Sequence, residues 1–262
     1  MEIRKESIPW GEIGYITYKR TYSRKLNDNN IDSKTEEFED TIERELRACK
    51  TQLSLEFNPG DIELYRKTRL SLKWSVAGRF MWQLGTSTVD KLGLPSLQNC
   101  AGTVVDHPIR PFTWAFEMLM LGSGVGYNIQ KEYVYQLPKV QSSQIKIIRL
   151  DTKDADYIVP DSREGWVKLL GKVLKAHFYN GEGFTYSTQL IRSKDSPIKG
   201  FGGTASGPEE LCWGMNEISK ILLFIFLSSF ENKLISNIVI KKIKTKSKNF
   251  FIFIFYIYLI KI

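Results

Sequence analysis

The run Leu97-Gln98-Asn99-Cys100-Ala101-Gly102-Thr103-Val104-Val105 places one thiol after a polar turn and at the head of a β-branched segment. Such a segment favours a strand, so Cys100 is expected at a strand's mouth, facing whatever occupies the space there. A thiol so placed suits redox chemistry, and a free cysteine also packs as a small hydrophobe; the residues alone leave both readings open. Gly122-Ser123-Gly124-Val125-Gly126-Tyr127-Asn128 comes next. Its glycines superficially match a dinucleotide fingerprint, but that fingerprint follows a strand and opens a helix. Here Phe112, Ala115, Phe116 and Leu119 sit at helical spacing before Gly122, and Val125 to Ile129 reads as a strand after it. The order is reversed, which excludes a Rossmann loop.

Gly200-Phe201-Gly202-Gly203-Thr204-Ala205-Ser206-Gly207-Pro208 is the second informative stretch. Glycines interleaved with Thr204 and Ser206 let backbone amides and hydroxyls approach a phosphate or ribose closely, and a plain flexible turn has the same composition. No CxxC pair is present, and His107 and His177 lack a partner at ligand spacing, so no metal site is expected. Cys49, Cys100 and Cys212 are too few and too scattered for a secreted disulfide framework. With no apolar core in Met1 to Glu6 to act as a signal peptide, a reducing cytoplasmic compartment is expected.

The elements that must position these residues follow from periodicity. Trp10 to Tyr22 mixes aromatics and cations, a pattern that suits nucleotides or single strands, or an irregular arm anchored by its rings. Ser33-Lys34-Thr35-Glu36 has capping-box spacing ahead of Phe38, Ile42, Leu46 and Cys49 on one helical face. Asp61 is expected to cap a second helix that turns Leu64, Tyr65, Thr68, Leu72 and Val76 inward and ends at Ala77-Gly78-Arg79. Ile145 to Leu150 and Phe184 to Ile191 read as strands. Between them Asp161 and Glu164 predict a capped helix burying Trp166, Leu169, Leu170, Val173 and Leu174. Strands separated by helices imply a parallel sheet or barrel.

In their order, Trp10-Gly11-x-Ile13-Gly14-Tyr15-x-Thr17-Tyr18-Lys19-Arg20-Thr21-Tyr22, Asn99-Cys100, Gly122-x-Gly124-Val125-Gly126, Pro160-Asp161-Ser162-Arg163-Glu164-Gly165-Trp166 and Gly200 to Pro208 resemble a known family. It is the N-terminal part of the monomeric adenosylcobalamin-dependent (class II) ribonucleoside-triphosphate reductases. The resemblance runs from about Pro9 to Glu217 and implies an α/β fold: an N-terminal helical region plus the first strands of a ten-stranded reductase barrel, truncated. It implies adenosylcobalamin as cofactor, ribonucleoside triphosphate as substrate and a thioredoxin-type reductant. Cys100 then matches one of the redox-active cysteine pair, with its partner missing. Gly202, Gly203, Thr204 and Ser206 lie near the nucleotide by the same resemblance, and Pro111, Phe112, Glu117 and Met120 fall in the family's effector region, where a deoxynucleotide binds. The connections between Cys100 and Pro111 and between Lys139 and Asp154 are shorter here than in that family.

Three segments are expected: 1–95 an N-terminal arm and helical region, 96–218 the first part of the barrel, and 219–262 a low-complexity Lys/Ile/Phe tail. That tail holds eight lysines against a single glutamate, so nearly all of the net charge of +8 sits there and gives no ground for a nucleic-acid partner. Its composition resembles translated A/T-rich noncoding sequence, and its last apolar run, Phe250 to Ile260, is shorter than the roughly 20 residues that span a bilayer. The expected activity is therefore that of a fragment without turnover alone, with a second polypeptide supplying the rest of the barrel. A catalytically dead nucleotide-binding or interaction protein is the alternative.

Overall fold

The computed structural model describes residues 10–27, 32–141, 145–198 and 204–228. The chain divides into two compact units, Met1–Asn99 and Cys100–Ile262.

The first unit is helical. Helix α1 (Gly11–Thr21) replaces the irregular arm expected of this segment, and its rings do point inward: Trp10 lies 4.4 Å from Phe38 and 5.5 Å from Tyr18 between ring centroids. Helix α2 (Phe38–Thr51) buries Phe38, Ile42, Leu46 and Cys49 as their spacing requires. Its capping box is Glu37 with Asp40, four residues beyond the expected one. The reason is local: Leu26 and Glu36 amides bond the carbonyls of Lys34 and Arg24, which holds 34–36 extended. Glu36 is also committed to Arg44 at 2.7 Å.

Helix α3 (Pro59–Leu70) is capped by Asn58, with Asp61 at the third position of the box rather than at the cap. It stops earlier than expected, because Leu72 takes φ +51°. Leu64 is 61% exposed, a correction to its assignment to the core. Gly78 opens helix α4 (Gly78–Gln83) instead of closing α3, and α5 (Ser87–Leu92) and a 3₁₀ turn (Leu94–Leu97) complete the unit. Arg44 donates to the carbonyls of Met81 and Leu84. A buried guanidinium thus satisfies acceptors that the end of a helix leaves unpaired.

In the second unit the strands of the described residues pair in parallel. Strands β1 (Cys100–Val104) and β2 (Gly124–Asn128) form one ladder, and β3 (Ile147–Arg149), β4 (Tyr157–Ile158) and β5 (Phe184–Ser187) form a sheet in the order β3-β5-β4. Helix α6 (Arg110–Met120) joins β1 to β2, the short α7 (Lys131–Val134) follows β2, and α8 (Arg163–Lys175) joins β4 to β5. Phe112, Leu169, Leu170, Val173, Leu174 and Tyr186 are fully buried in one core. The α8 cap is Ser162, whose Oγ accepts from the Gly165 amide at 3.1 Å; Asp161, expected there, instead pairs with Arg192 at 2.7 Å. A π-helical turn (Ala176–Asn180) extends α8 and closes on Gly181 at φ +69°. Strand β5 is shorter than Phe184 to Ile191, because the Thr188 amide leaves the ladder and donates to Asp151 at 2.6 Å. Helix α9 (Glu209–Ser228) runs across the 218/219 composition boundary, with Leu222 and Ile225 buried in the same core.

Candidate functional site

Cys100 is the first residue of β1 and is exposed, while Cys49 and Cys212 are buried. Its register partner is Gly124, and Gly102 pairs with Gly126. Side chains alternate across a ladder, so Cys100, Gly102, Gly124 and Gly126 share one face. All four are exposed, whereas Ala101, Thr103, Val125 and Tyr127 on the other face are half-buried. A Cβ placed at Gly102 or Gly126 would meet no atom closer than 3.9 Å, each time a backbone oxygen. Packing within the unit therefore does not demand glycine there. The bare floor beside the thiol leaves room for a ligand or another chain to lie against the backbone.

What positions this floor is α6. The helix begins at Arg110 with Pro111 in its first turn, buries Phe112 and Ala115, and ends where Gly122 takes φ +80°, the left-handed conformation that turns the chain into β2. The four residues assigned to the effector region all fall on α6, and they divide. Pro111 and Phe112 are buried in the core, whereas Glu117 and Met120 are half-buried, with Glu117 3.4 Å from Arg163 of α8.

The second stretch lies apart in sequence. Gly202 and Gly203 lie outside the described residues. Thr204 bridges Pro197, and the Ala205 amide bonds the Ser196 carbonyl at 2.8 Å, so 193–197 and 204–208 run antiparallel as two arms. Ser206 lines a cleft of about 530 Å³ with Ile191, Ser193, Lys194, Gly207 and Glu209. Gly207 has φ +76°, and a Cβ there would sit 3.0 Å from the Lys194 amide nitrogen, so the close approach of the two arms requires glycine. Arg149 of β3 grips Glu209 and Asp151, each at 2.8 Å, fixing the start of α9 beside the cleft. Partial burial pushes the Asp151 carboxyl up, but hydrogen bonds from Thr188 and Arg149 hold it below its ordinary range. Periodicity could not have found this Arg149, Asp151 and Glu209 cluster, because 60 residues separate Arg149 from Glu209.

No cluster of three metal-ligating side chains occurs among the described residues, and no helix there is long and apolar enough to cross a membrane.

Residues 131–222 match the family model of the B12-dependent ribonucleotide reductase insertion domain. The chain is 30% identical over 283 residues to the adenosylcobalamin-dependent ribonucleoside-triphosphate reductase of Lactobacillus gasseri, covering 84% of this chain and 38% of that one. It is 32% identical over 243 residues to the probable enzyme of that name from Dictyostelium discoideum, covering 84% and 31%. A crystal structure of a B12-dependent (class II) ribonucleotide reductase matches with a TM-score of 0.69 at 25% identity, over 82% of this chain and 38% of that one.

Proposed function

From a chain related to the class II ribonucleotide reductases over 84% of its length and spanning about 38% of theirs, we propose a part in reducing ribonucleoside triphosphates to 2′-deoxyribonucleoside triphosphates. The observation that carries this reading is Cys100, an exposed thiol at the head of β1 beside a floor of glycines. Cys100 is one of two reducing thiols. The pair gives up two electrons and two protons and closes to a disulfide, while the 2′-hydroxyl leaves as water and a hydrogen takes its place. A thioredoxin-type reductant then reopens the disulfide. Cys49 and Cys212 are buried, so neither is that partner thiol, which comes from another segment or polypeptide together with the remaining barrel strands.

Thr204 and Ser206 sit on the returning arm beside the cleft and support nucleotide binding, with Ser206 in its wall. On α6, Glu117 and Met120 are the residues with surface left to meet an effector, while Pro111 and Phe112 hold the helix in the core.

The relatives are named as adenosylcobalamin-dependent, and that cofactor supplies the initiating radical. The cleft does not fit it: 530 Å³ is the size of a drug-like ligand rather than a corrinoid, and its lining carries no imidazole.

The test is complementation. The full chain is mixed with the complementary C-terminal portion of a related reductase, adenosylcobalamin, a ribonucleoside triphosphate and a thioredoxin system, and deoxynucleotide is measured. The chain alone gives none, the mixture gives product, and Cys100→Ser abolishes thioredoxin-dependent turnover. Undiminished turnover with Cys100→Ser overturns the assignment. Tight nucleotide binding without reduction in the mixture favours a nucleotide-binding protein that does no chemistry.

A further inference from the structure

The chain has two histidines: His177 lies within the π-helical turn, and His107 lies just ahead of α6 with its ring near that turn. His107 Nδ1 accepts hydrogen bonds from the amides of Ile109 at 3.0 Å and Arg110 at 3.2 Å. These are two of the donors that the start of a helix leaves without an intrahelical partner. A nitrogen that accepts both carries no proton, so the ring proton is on Nε2. The ring centroid of His107 lies 6.4 Å from that of Tyr179, two residues beyond His177.

We propose that His107 is an acid-sensitive cap on α6: protonation at Nδ1 removes both hydrogen bonds at once and frees the first turn of the helix. The chemistry is one-sided. A protonated ring has no acceptor to offer the amides, and it sets a positive charge against the positive end of the helix dipole. The ionisable groups set against His107 are Asp106 and Arg110 in its own segment and Tyr179 from the π-helical turn. Partial burial and the nearby Arg110 charge hold its pKa below the usual histidine range, with Asp106 opposing them. The neutral, capping form therefore prevails near neutrality. The segment matters because 105–109 leaves β1, the strand that Cys100 opens, and α6 returns to β2 opposite it.

The experiment uses the full chain. Nitrogen-15 shifts of the histidine side chains give the tautomer, and hydrogen exchange gives protection at the Ile109 and Arg110 amides between pH 5 and 8, corrected for intrinsic exchange. The Nε2-protonated tautomer is expected at pH 8, with protection falling about five-fold, the equivalent of one helix cap, as His107 protonates. His107→Asn keeps an acceptor that does not titrate in this range and should hold that protection flat. His107→Ala should start low and stay low. A proton on Nδ1 at pH 8, or the same acid-driven fall in His107→Asn, overturns the proposal.

Discussion

Cys100 and Gly124 face each other as the first residues of two parallel strands, so the thiol's neighbour across the ladder is a backbone without a side chain. The relationship separates the demands of folding from those of a ligand. Gly102→Ala and Gly126→Ala each add a methyl that finds no atom nearer than 3.9 Å. Each should leave stability unchanged or raise it by up to about 1 kcal/mol by restricting the unfolded chain. If a ribonucleotide lies on this floor, the same methyl weakens its binding. Thermal unfolding and nucleotide titration on the same samples check both halves; loss of stability with unchanged binding would assign the glycines to folding.

A second prediction concerns the first unit. Arg69 and Glu45 are both fully buried and 2.8 Å apart, and the guanidinium also sits 5.2 Å from the Phe38 ring and 5.6 Å from that of Trp74. Arg69→Met strands a carboxylate in the core and should cost about 3–5 kcal/mol. Adding Glu45→Leu to it should recover most of that loss, because the stranded charge disappears with it. Urea unfolding of the single and double variants measures the coupling, and additive losses would show that the pair does not act as a unit.

His177 gives a third. It is 2% exposed, both ring nitrogens lack a hydrogen-bond partner among the described residues, and burial pushes its pKa down to about 4. The unfolded chain binds a proton near pH 6.5, where the folded chain does not, so acid favours unfolding. This contribution to stability is whole above pH 6.5 and is lost as the pH falls towards 4, up to about 3 kcal/mol across the window. His177→Leu should be neutral or stabilising at pH 7 and should flatten the dependence in that range. Denaturant midpoints at pH 7.5 and 5 for the two proteins test it; equal pH slopes would place the titration elsewhere.

Periodicity carried the reading where a helix buries one regular stripe, as α2 does with Phe38, Ile42, Leu46 and Cys49 and α8 with Leu169, Leu170, Val173 and Leu174. It also placed Cys100 at the head of a strand and put α6 before β2. It failed where a side chain had a partner far along the chain. Glu36, expected as the third-position partner of a Ser33 capping box, and Asp161, expected as a cap, are claimed by Arg44 and Arg192, and the caps fall on Glu37 and Ser162. Thr188 likewise leaves β5 for Asp151, 37 residues away. The π-helical turn has no period of its own to announce it.

Gly207 offers a fourth prediction, on the second stretch. At φ +76° with the Lys194 backbone against it, Gly207→Ala combines a strained conformation with a contact that the chain must relieve by moving. A cost of about 1–3 kcal/mol is expected, with the cleft beside Ser206 deformed. Ser206→Ala, in contrast, removes a hydroxyl with only a 3.4 Å bond to the Gly207 carbonyl and should leave stability within about 0.5 kcal/mol. If the cleft takes a nucleotide, both variants bind it more weakly, and only the first unfolds more easily.

The three thiols give the most direct check on where redox chemistry belongs. Reaction with an alkylating agent requires access and a thiolate. Burial pushes the Cys49 and Cys212 thiols up, and the neighbouring Glu45 adds to this at Cys49, while Tyr186 and Arg149 partly oppose it at Cys212. Cys100 is exposed. Under native conditions at pH 7.5, iodoacetamide should label Cys100 at least ten-fold faster than the other two, a difference of about 1.4 kcal/mol or more in the combined cost of exposing and ionising the thiol. In denaturant the three rates should converge. Peptide mapping by mass spectrometry resolves the sites. Faster native labelling at Cys212 would mean that the start of α9 opens readily, and would move the candidate redox thiol from β1 to the Arg149 and Glu209 cluster.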